Sequence, residues 1–462
     1  MAVADPASFR DPKATVYIVR DRVFRTLDET AWRHYQQLRA CGALDELERA
    51  GRIVASRAAE PGELVSPQRA DARHVLEHER IPCVSYPYEW PFSLLKRAAL
   101  HQLDLHLDLL ARGYTLSDAS AYNVQFRGTR AVFIDVPSIR PYVEGEYWDG
   151  YRQFCEQYLN PLLLTVETGI PFHAWYRGSM EGIPVDHIAR LLPARSRASW
   201  RVLLHVVLHA RMHARTSTER DARAAAAQRR PMAKSTLLWL LRSLRSWIAS
   251  LEPRRGRTAW SSYHLCASYD AHESATKQGF VESYIRRRAP AQVLDLGCNE
   301  GAFAQLALSA GATRVIGCDF DTGALEAAVE RADRHHLDFL PLFLDAANPT
   351  PEQGWAQAER RGFAARTRSD ALVTLAFLHH IVIARNVPLT AALEWLTSLA
   401  PSGVIEFVPK TDPRVRTMLE GREDIFQQYD PASFRRELCR HAAIIGEQAV
   451  SPGGRVLVEY CR

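Results

Sequence analysis

The sequence predicts an α/β protein of two domains, and three observations carry that expectation. The chain has 462 residues, more than one ordinary hydrophobic core accommodates. From about Trp260 onward, short apolar runs alternate with helical spacings, the pattern of a parallel sheet whose strands are joined by helices. Between them, residues 216–234 (TSTERDARAAAAQRRPMAK) are polar, Ala/Arg-rich and without apolar period, which marks a linker. The expected boundaries are 1–215 for an α+β domain, 216–256 for a linker with an amphipathic helix, and 257–462 for the α/β domain.

The amino-terminal part reads as strand, helix, strand over residues 14–56, from the β-rich runs TVYIV and RVFRTL and the helical spacing of Glu29 to Leu38. A turn, a short segment near Ile81–Tyr88 and a helix over 93–110 with leucines on one face follow. NVQF and AVFID, separated by Arg127-Gly128-Thr129-Arg130, read as a hairpin, and residues 147–215 read as mainly helical. Residues 235–251 form a short amphipathic helix, whose apolar face suits its own domain better than a membrane surface.

Composition narrows the function. Hydrophobic content of 47% and charged content of 24% are those of a soluble globular protein. The net charge of +5 is carried almost wholly by arginine, since the only lysines are Lys13, Lys96, Lys234, Lys277 and Lys410. No face or tail except the linker collects those arginines, so a nucleic-acid partner is not expected. The eight cysteines lack paired Cys-x-x-Cys spacing, which reads as reduced thiols and no metal site. The start MAVADPASFRDPK has no apolar core and no run is long enough to span a bilayer, so the expected location is cytoplasmic.

The chemistry concentrates after residue 290. VLDLGCNEGAFAQLAL (293–308) is an apolar strand, a Gly-bearing turn and a helix, with Asp295, Gly297 and Gly301 in Asp-x-Gly-x-x-x-Gly. Glycine there lets a large nucleoside-bearing ligand approach backbone, and the next helix offers free amide donors; alone, the loop serves a dinucleotide equally well. A second strand, TRVIGCDFD, ends in Asp319, 24 positions past Asp295, where a carboxylate can accept both ribose hydroxyls. A third, FLPLFLDAAN, ends in Asp345, placed to accept from an adenine amino group. A fourth, SDALVTLAFLHH, runs through Leu375 to His379 and His380, and a fifth, GVIEFV, holds Glu406. AAIIGEQAV, a Pro-Gly-Gly turn and RVLVEYCR close the chain as an antiparallel hairpin whose last strand inserts beside the parallel ones.

These six segments and their order resemble class I S-adenosylmethionine-dependent methyltransferases. The phrases DAANPTPEQGW, LAFLHHIVIARNVPL, IEFVPKTDP and REDIFQQY are similar to a narrower bacterial group that includes the nodulation methyltransferase NoeA. The resemblance implies a Rossmann-like seven-stranded sheet and S-adenosyl-L-methionine as cofactor. It places cofactor contacts at Asp295, Gly297, Cys298, Asn299, Gly301, Asp319, Phe320, Asp345, Ala346 and Leu375. Asn299 departs from the third glycine of many members; asparagine tolerates the backbone angles such a turn needs. The acceptor end should lie beyond the fourth strand. There His379 or His380 is the preferred base, with Glu406 and then Asp412 behind, if the acceptor must lose a proton. The competing reading is that the two histidines cap or pack the next helix. No Asn-Pro-Pro-Tyr run for planar nitrogens is present, which tilts the acceptor toward oxygen or another kind of amine on a small molecule or carbohydrate.

In the amino-terminal domain, GYTLSDASAYNVQF and AVFIDVPS hold Asp118, Asn123 and, twelve residues on, Asp135. With the preceding helix they resemble a protein- or aminoglycoside-kinase carboxyl lobe, which implies an ATP and metal site at those three residues. Leu116-Ser117 before Asp118, Val136-Pro137 after Asp135 and the missing Gly-rich loop depart from that family. A strand lysine is also missing, and Arg25 stands as its substitute. A degenerate kinase-like scaffold is therefore expected, with an active phosphotransferase as the alternative and plain turn chemistry as the competing account. A non-enzymatic cofactor-binding interaction protein is a further alternative. His205, His209 and His213 share one helix face but lack an accompanying ligand at metal spacing, and Trp260, Tyr263 and Tyr269 read as cofactor cover or core.

Overall fold

The computed structural model describes residues 3–11, 14–60, 62–64, 74–197, 199–208, 231–253, 271–421 and 423–462. His209, His213, Trp260, Tyr263, Tyr269 and residues 216–230 and 254–256 of the expected linker lie outside the described residues. The chain divides into two compact units. One holds Met1–Phe126, Arg130–Arg255 and Glu352–Arg360; the other holds Arg127–Thr129, Gly256–Pro351 and Arg361–Arg462.

The first unit opens with an antiparallel sheet of β1 (Val3–Ala4), β2 (Ala14–Val19), β3 (Arg22–Leu27), β4 (Ser56–Ala58) and β5 (His74–His78), in the order β1-β2-β3-β5-β4. Asp28 ends β3 and starts helix Glu29–Ala40, its carboxylate accepting from Ala31 N–H at 2.7 Å. Helix Phe92–Ala111 buries Leu94, Leu95, Leu103, Leu109 and Leu110. After it come β6 (Tyr114–Leu116), β7 (Val124–Arg127), β8 (Arg130–Phe133) and β9 (Ile139–Pro141), in the pairs β6–β9 and β7–β8. Short helices fill most of residues 151–208.

The segment expected as a linker needs correction at its carboxyl end. Met232 N–H donates to Gly145 O at 3.0 Å, and helix Lys234–Ser250 belongs to the first unit. Its Leu237, Leu241, Leu244 and Ile248 are buried, it packs along helix Phe92–Ala111, and Arg245 pairs with Asp104. Its apolar face is thus covered by its own unit.

The second unit is a seven-stranded sheet of β10 (Gln292–Leu296), β11 (Arg314–Asp319), β12 (Phe339–Phe343), β13 (Ala371–Thr374), β14 (Ser402–Phe407), β15 (Ala443–Ala449) and β16 (Val456–Cys461). The order is β12-β11-β10-β13-β14-β16-β15, with β10 to β14 parallel and β16 antiparallel between β14 and β15. β10, β13 and β14 are buried along their whole length, which explains why parallel strands read as unbroken apolar runs. Successive strands leave β10 first on one side and then on the other. The carboxyl ends of β10, β11 and β13 therefore flank a topological switch point, where open α/β sheets bind ligands.

Among the described residues no helix is long and apolar enough to cross a membrane.

Candidate functional site

The loop after β10 is shaped by three left-handed residues. Gly297 has φ +80°, which favours glycine, and a Cβ there would stand 3.1 Å from Phe377 Cδ2, so a side chain would also press on that ring. Gly301, at φ +79°, starts helix Ala302–Ser309, and a Cβ on it would overlap the Phe339 ring. Asn299 adopts φ +48°, as the sequence led one to expect of asparagine. Its side-chain Oδ1 accepts from Glu300 N–H at 2.8 Å, and its own N–H donates to Asp319 Oδ2 at 2.8 Å.

A cavity of about 320 Å³ opens over this loop at the carboxyl ends of the parallel strands. Asp319 is anchored there by Asn299 N–H and by Asp321 N–H, which donates to Oδ1 at 2.9 Å. The carboxylate is held rigid with lone pairs left for ribose hydroxyls. On the β12 side stand Asp345, Ala346 and the exposed ring of Phe320, packed at 5.5 Å on Phe343. Arg385 lies over the Phe320 ring at 5.7 Å and reaches Asp345 at 3.4 Å, so a flat aromatic surface, an acceptor and a cation meet. An aromatic face and a carboxylate acceptor are groups that can hold an adenine ring and its amino group.

Asp295 lies under the loop rather than in the cavity wall. Its Oδ2 is buried without a hydrogen-bond partner, and burial, with the nearby Asp319 charge, pushes its carboxyl up to about 7. Burial likewise raises Asp319. An orphaned carboxylate oxygen beneath a glycine cradle fits an ammonium-bearing nucleoside such as S-adenosylmethionine, whose cationic amino acid end would reach it through water. Gly301 also stands behind the wall, while Gly297, Cys298, Asn299, Phe320 and Leu375 line it.

Beyond β13 the chain turns through Ala376, at φ +49°, and widens into a π-helical turn, His380–Ala384. His380 lines the cavity; His379 does not, and its Nδ1 is buried without a partner. Their rings stand 4.3 Å apart. Burial, followed by the Arg414 charge, pulls His380 down to about 4; burial first and His380 next pull His379 well below the usual range. His380 is thus neutral at pH 7 and able to accept a proton, but with reduced basicity.

Glu406 corrects the expectation of a third base. It is wholly buried on β14 and takes no part in the cavity wall. Its Oε1 meets Lys277 Nζ at 2.7 Å and Arg455 Nη1 at 3.4 Å, and its Oε2 accepts from Ala376 N–H at 2.9 Å. Asp412 is committed too, to Arg455 at 2.7 Å and to Arg414 N–H at 3.0 Å. Neither carboxylate lines the cavity.

Sequence reasoning missed Lys277, Ser274, Phe377 and Arg385 in the wall. One signal was available: in a chain whose cations are almost all arginine, Lys277 is one of five lysines.

In the first unit, Asp118, Asn123 and Asp135 do come together. Asn123 Nδ2 donates to Asp118 Oδ1 at 3.0 Å and to Asp135 Oδ2 at 3.1 Å, and Arg25 pairs with Asp135. Burial, then the Asp135 charge, pushes the Asp118 carboxyl up to about 7. His205 is buried and paired through Nδ1 to Tyr151 OH at 2.7 Å.

Residues 294–407 match the methyltransferase domain family. The chain is 41% identical to the nodulation protein NoeA of Rhizobium meliloti strain 1021 over 456 residues, covering 98% of this chain and 95% of that protein. Among solved structures, it is similar to the bifunctional kinase-methyltransferase WbdD (21% identity, TM-score 0.31, 47% of this chain and 46% of that one). It is also similar to magnesium protoporphyrin IX methyltransferase of Synechocystis PCC 6803 with bound SAH (18% identity, TM-score 0.31, 44% and 93%).

Proposed function

Because the chain belongs to the NoeA group of class I S-adenosylmethionine-dependent methyltransferases, we propose that it methylates oxygen or nitrogen on a small-molecule or oligosaccharide acceptor, at the β13 side of its cavity. The observation that carries this reading is the cavity itself, where Gly297, Asp319, Phe320 and Asp345 meet with His380 beyond them. S-adenosylmethionine supplies a methyl group on sulfonium, an already activated leaving group. The protein's task is then to hold the acceptor atom in line and exclude water. Phe377 and Ile381 offer apolar wall for that, and His380, neutral at pH 7, takes the acceptor's proton where one must leave. Its low basicity makes positioning the larger contribution. The test is transfer of labelled methyl into a cell extract by the purified full chain, with mass analysis of the product. Label in a small-molecule or oligosaccharide fraction, lost in Asp319→Ala, supports the reading; label only in protein or nucleic acid overturns it.

For the first unit, the antiparallel sheet followed by a mainly helical part, with Asp118, Asn123 and Asp135 in contact, supports a kinase-like scaffold. Arg25 already neutralises Asp135, where a metal ion would otherwise bind, and this favours an accessory role over phosphotransfer. ATP turnover that Asp135→Ala abolishes would reverse that preference.

A further inference from the structure

Four buried charges adjoin the cavity, Lys277 in its wall and Glu406, Asp412 and Arg455 behind it, each less than a tenth exposed and balanced two against two. They tie together helix Ala271–Arg288, β14, the start of helix Pro413–Leu419 and Arg455 just before β16. Buried ion pairs of this kind seldom stabilise a fold more than an apolar replacement would, so their presence beside a binding cavity calls for another reason.

Glu406 meets the cavity wall at two places, the Lys277 ammonium, which both of its oxygens contact, and one backbone N–H. Its Oε2 accepts the N–H of Ala376, at 2.9 Å. Ala376 is held at φ +49°, a left-handed conformation disfavoured for a residue with a Cβ, in a wall formed by Leu375, Ala376 and Phe377. Phe377 in turn packs against Gly297, leaving 3.1 Å to the place a Cβ would occupy. With adenosine groups on the β11 and β12 side, this wall borders the other half of the cofactor, the sulfonium and its amino acid.

We propose that Glu406 is a positioning residue for methyl transfer. Through the Ala376 N–H it fixes the strained Leu375–Phe377 wall against Gly297 and so shapes the subsite for the cofactor's amino acid half, while Lys277 and Arg455 hold its carboxylate in place. The inference rests on the cofactor reading of the cavity and deepens it. S-adenosylhomocysteine serves as the probe, because its binding needs no acceptor. Affinities are read by equilibrium dialysis well below each variant's melting temperature, for wild type, Glu406→Ala, Lys277→Met and the double variant Lys277→Met/Glu406→Gln. The double variant keeps an acceptor for Ala376 N–H and leaves Arg455 paired with Asp412, so no charge is orphaned.

The expected result is a loss of affinity of more than 10-fold in Glu406→Ala and less than about 3-fold in the double variant. A Glu406→Ala protein that melts earlier but binds as wild type would show a merely structural role and overturn the proposal. A double variant as weak as Glu406→Ala would also overturn it, and an equal loss in Lys277→Met beside it would then assign recognition to Lys277 directly; a loss in Lys277→Met that the double variant regains supports the proposal. Wild type that binds no probe would instead overturn the cofactor reading.

Discussion

Gly301 cannot take on a side chain without two costs, a left-handed φ and overlap with the Phe339 ring. Gly301→Ala should therefore lose about 2–4 kcal/mol of stability in a denaturant titration of the second unit. Asp295 makes a second, pH-dependent prediction. Its carboxyl is raised to about 7 without ligand, and a cationic amino group favours the ionised form. Binding must then release a proton below pH 7 and none above. S-adenosylhomocysteine affinity should rise up to tenfold per unit from pH 5.5 to 7 and level off above, with matching proton release in buffers of different ionisation enthalpy. Affinity flat across that range would remove Asp295 from the site. The left-handed turns at Gly297, Asn299 and Gly301 and the place of Asp319 and Asp345 beside the cavity were legible because turn conformation and strand termini are written locally. Lys277 with Glu406 was not: the partners lie 129 positions apart and meet only once helix and sheet pack.

At the scale of elements, buried parallel strands announced themselves, since β10, β13 and β14 have no solvent face and read as apolar runs. The first unit was harder to read. Helix Ala43–Arg49 has only seven residues and β5 only five, too few for a period to stand out. Helix Lys234–Ser250 was seen as a helix whose apolar face suits its own domain, as its packing on helix Phe92–Ala111 bears out, yet it was set within the linker segment because sequence does not show which neighbour covers that face. Leu241, wholly buried in that helix, gives the check. Leu241→Ala should cost about 2–5 kcal/mol in the unfolding of the first unit while leaving S-adenosylhomocysteine affinity within twofold. An unchanged unfolding midpoint would return the helix to the linker.

For the whole molecule, acid should act unevenly. Burial holds His78, His106 and His173 at about 3 and His101 at about 4, all in the first unit. Below pH 6.5 the unfolded chain takes up protons these native imidazoles refuse, so their contribution is whole above 6.5 and is lost as pH falls toward 4. Asp118, raised to about 7, runs the opposite way and offsets one of the four. Each uncompensated imidazole removes about 1.4 kcal/mol per pH unit in that window. In the second unit the depressed His379 and His380 are opposed by the raised Asp295 and Asp319. The melting temperature of the first unit should thus fall further than that of the second between pH 7 and 5, and a smaller fall in a calorimetric scan would contradict the burial of these histidines.

The most direct test of the cofactor site is a calorimetric titration of the full chain with S-adenosylhomocysteine, in wild type and Asp319→Ala. One binding site is predicted in the wild type, weakened about 100-fold or more by the substitution, since two hydrogen bonds to a charged acceptor disappear. Equal binding in both proteins, or no heat in either, would contradict the account.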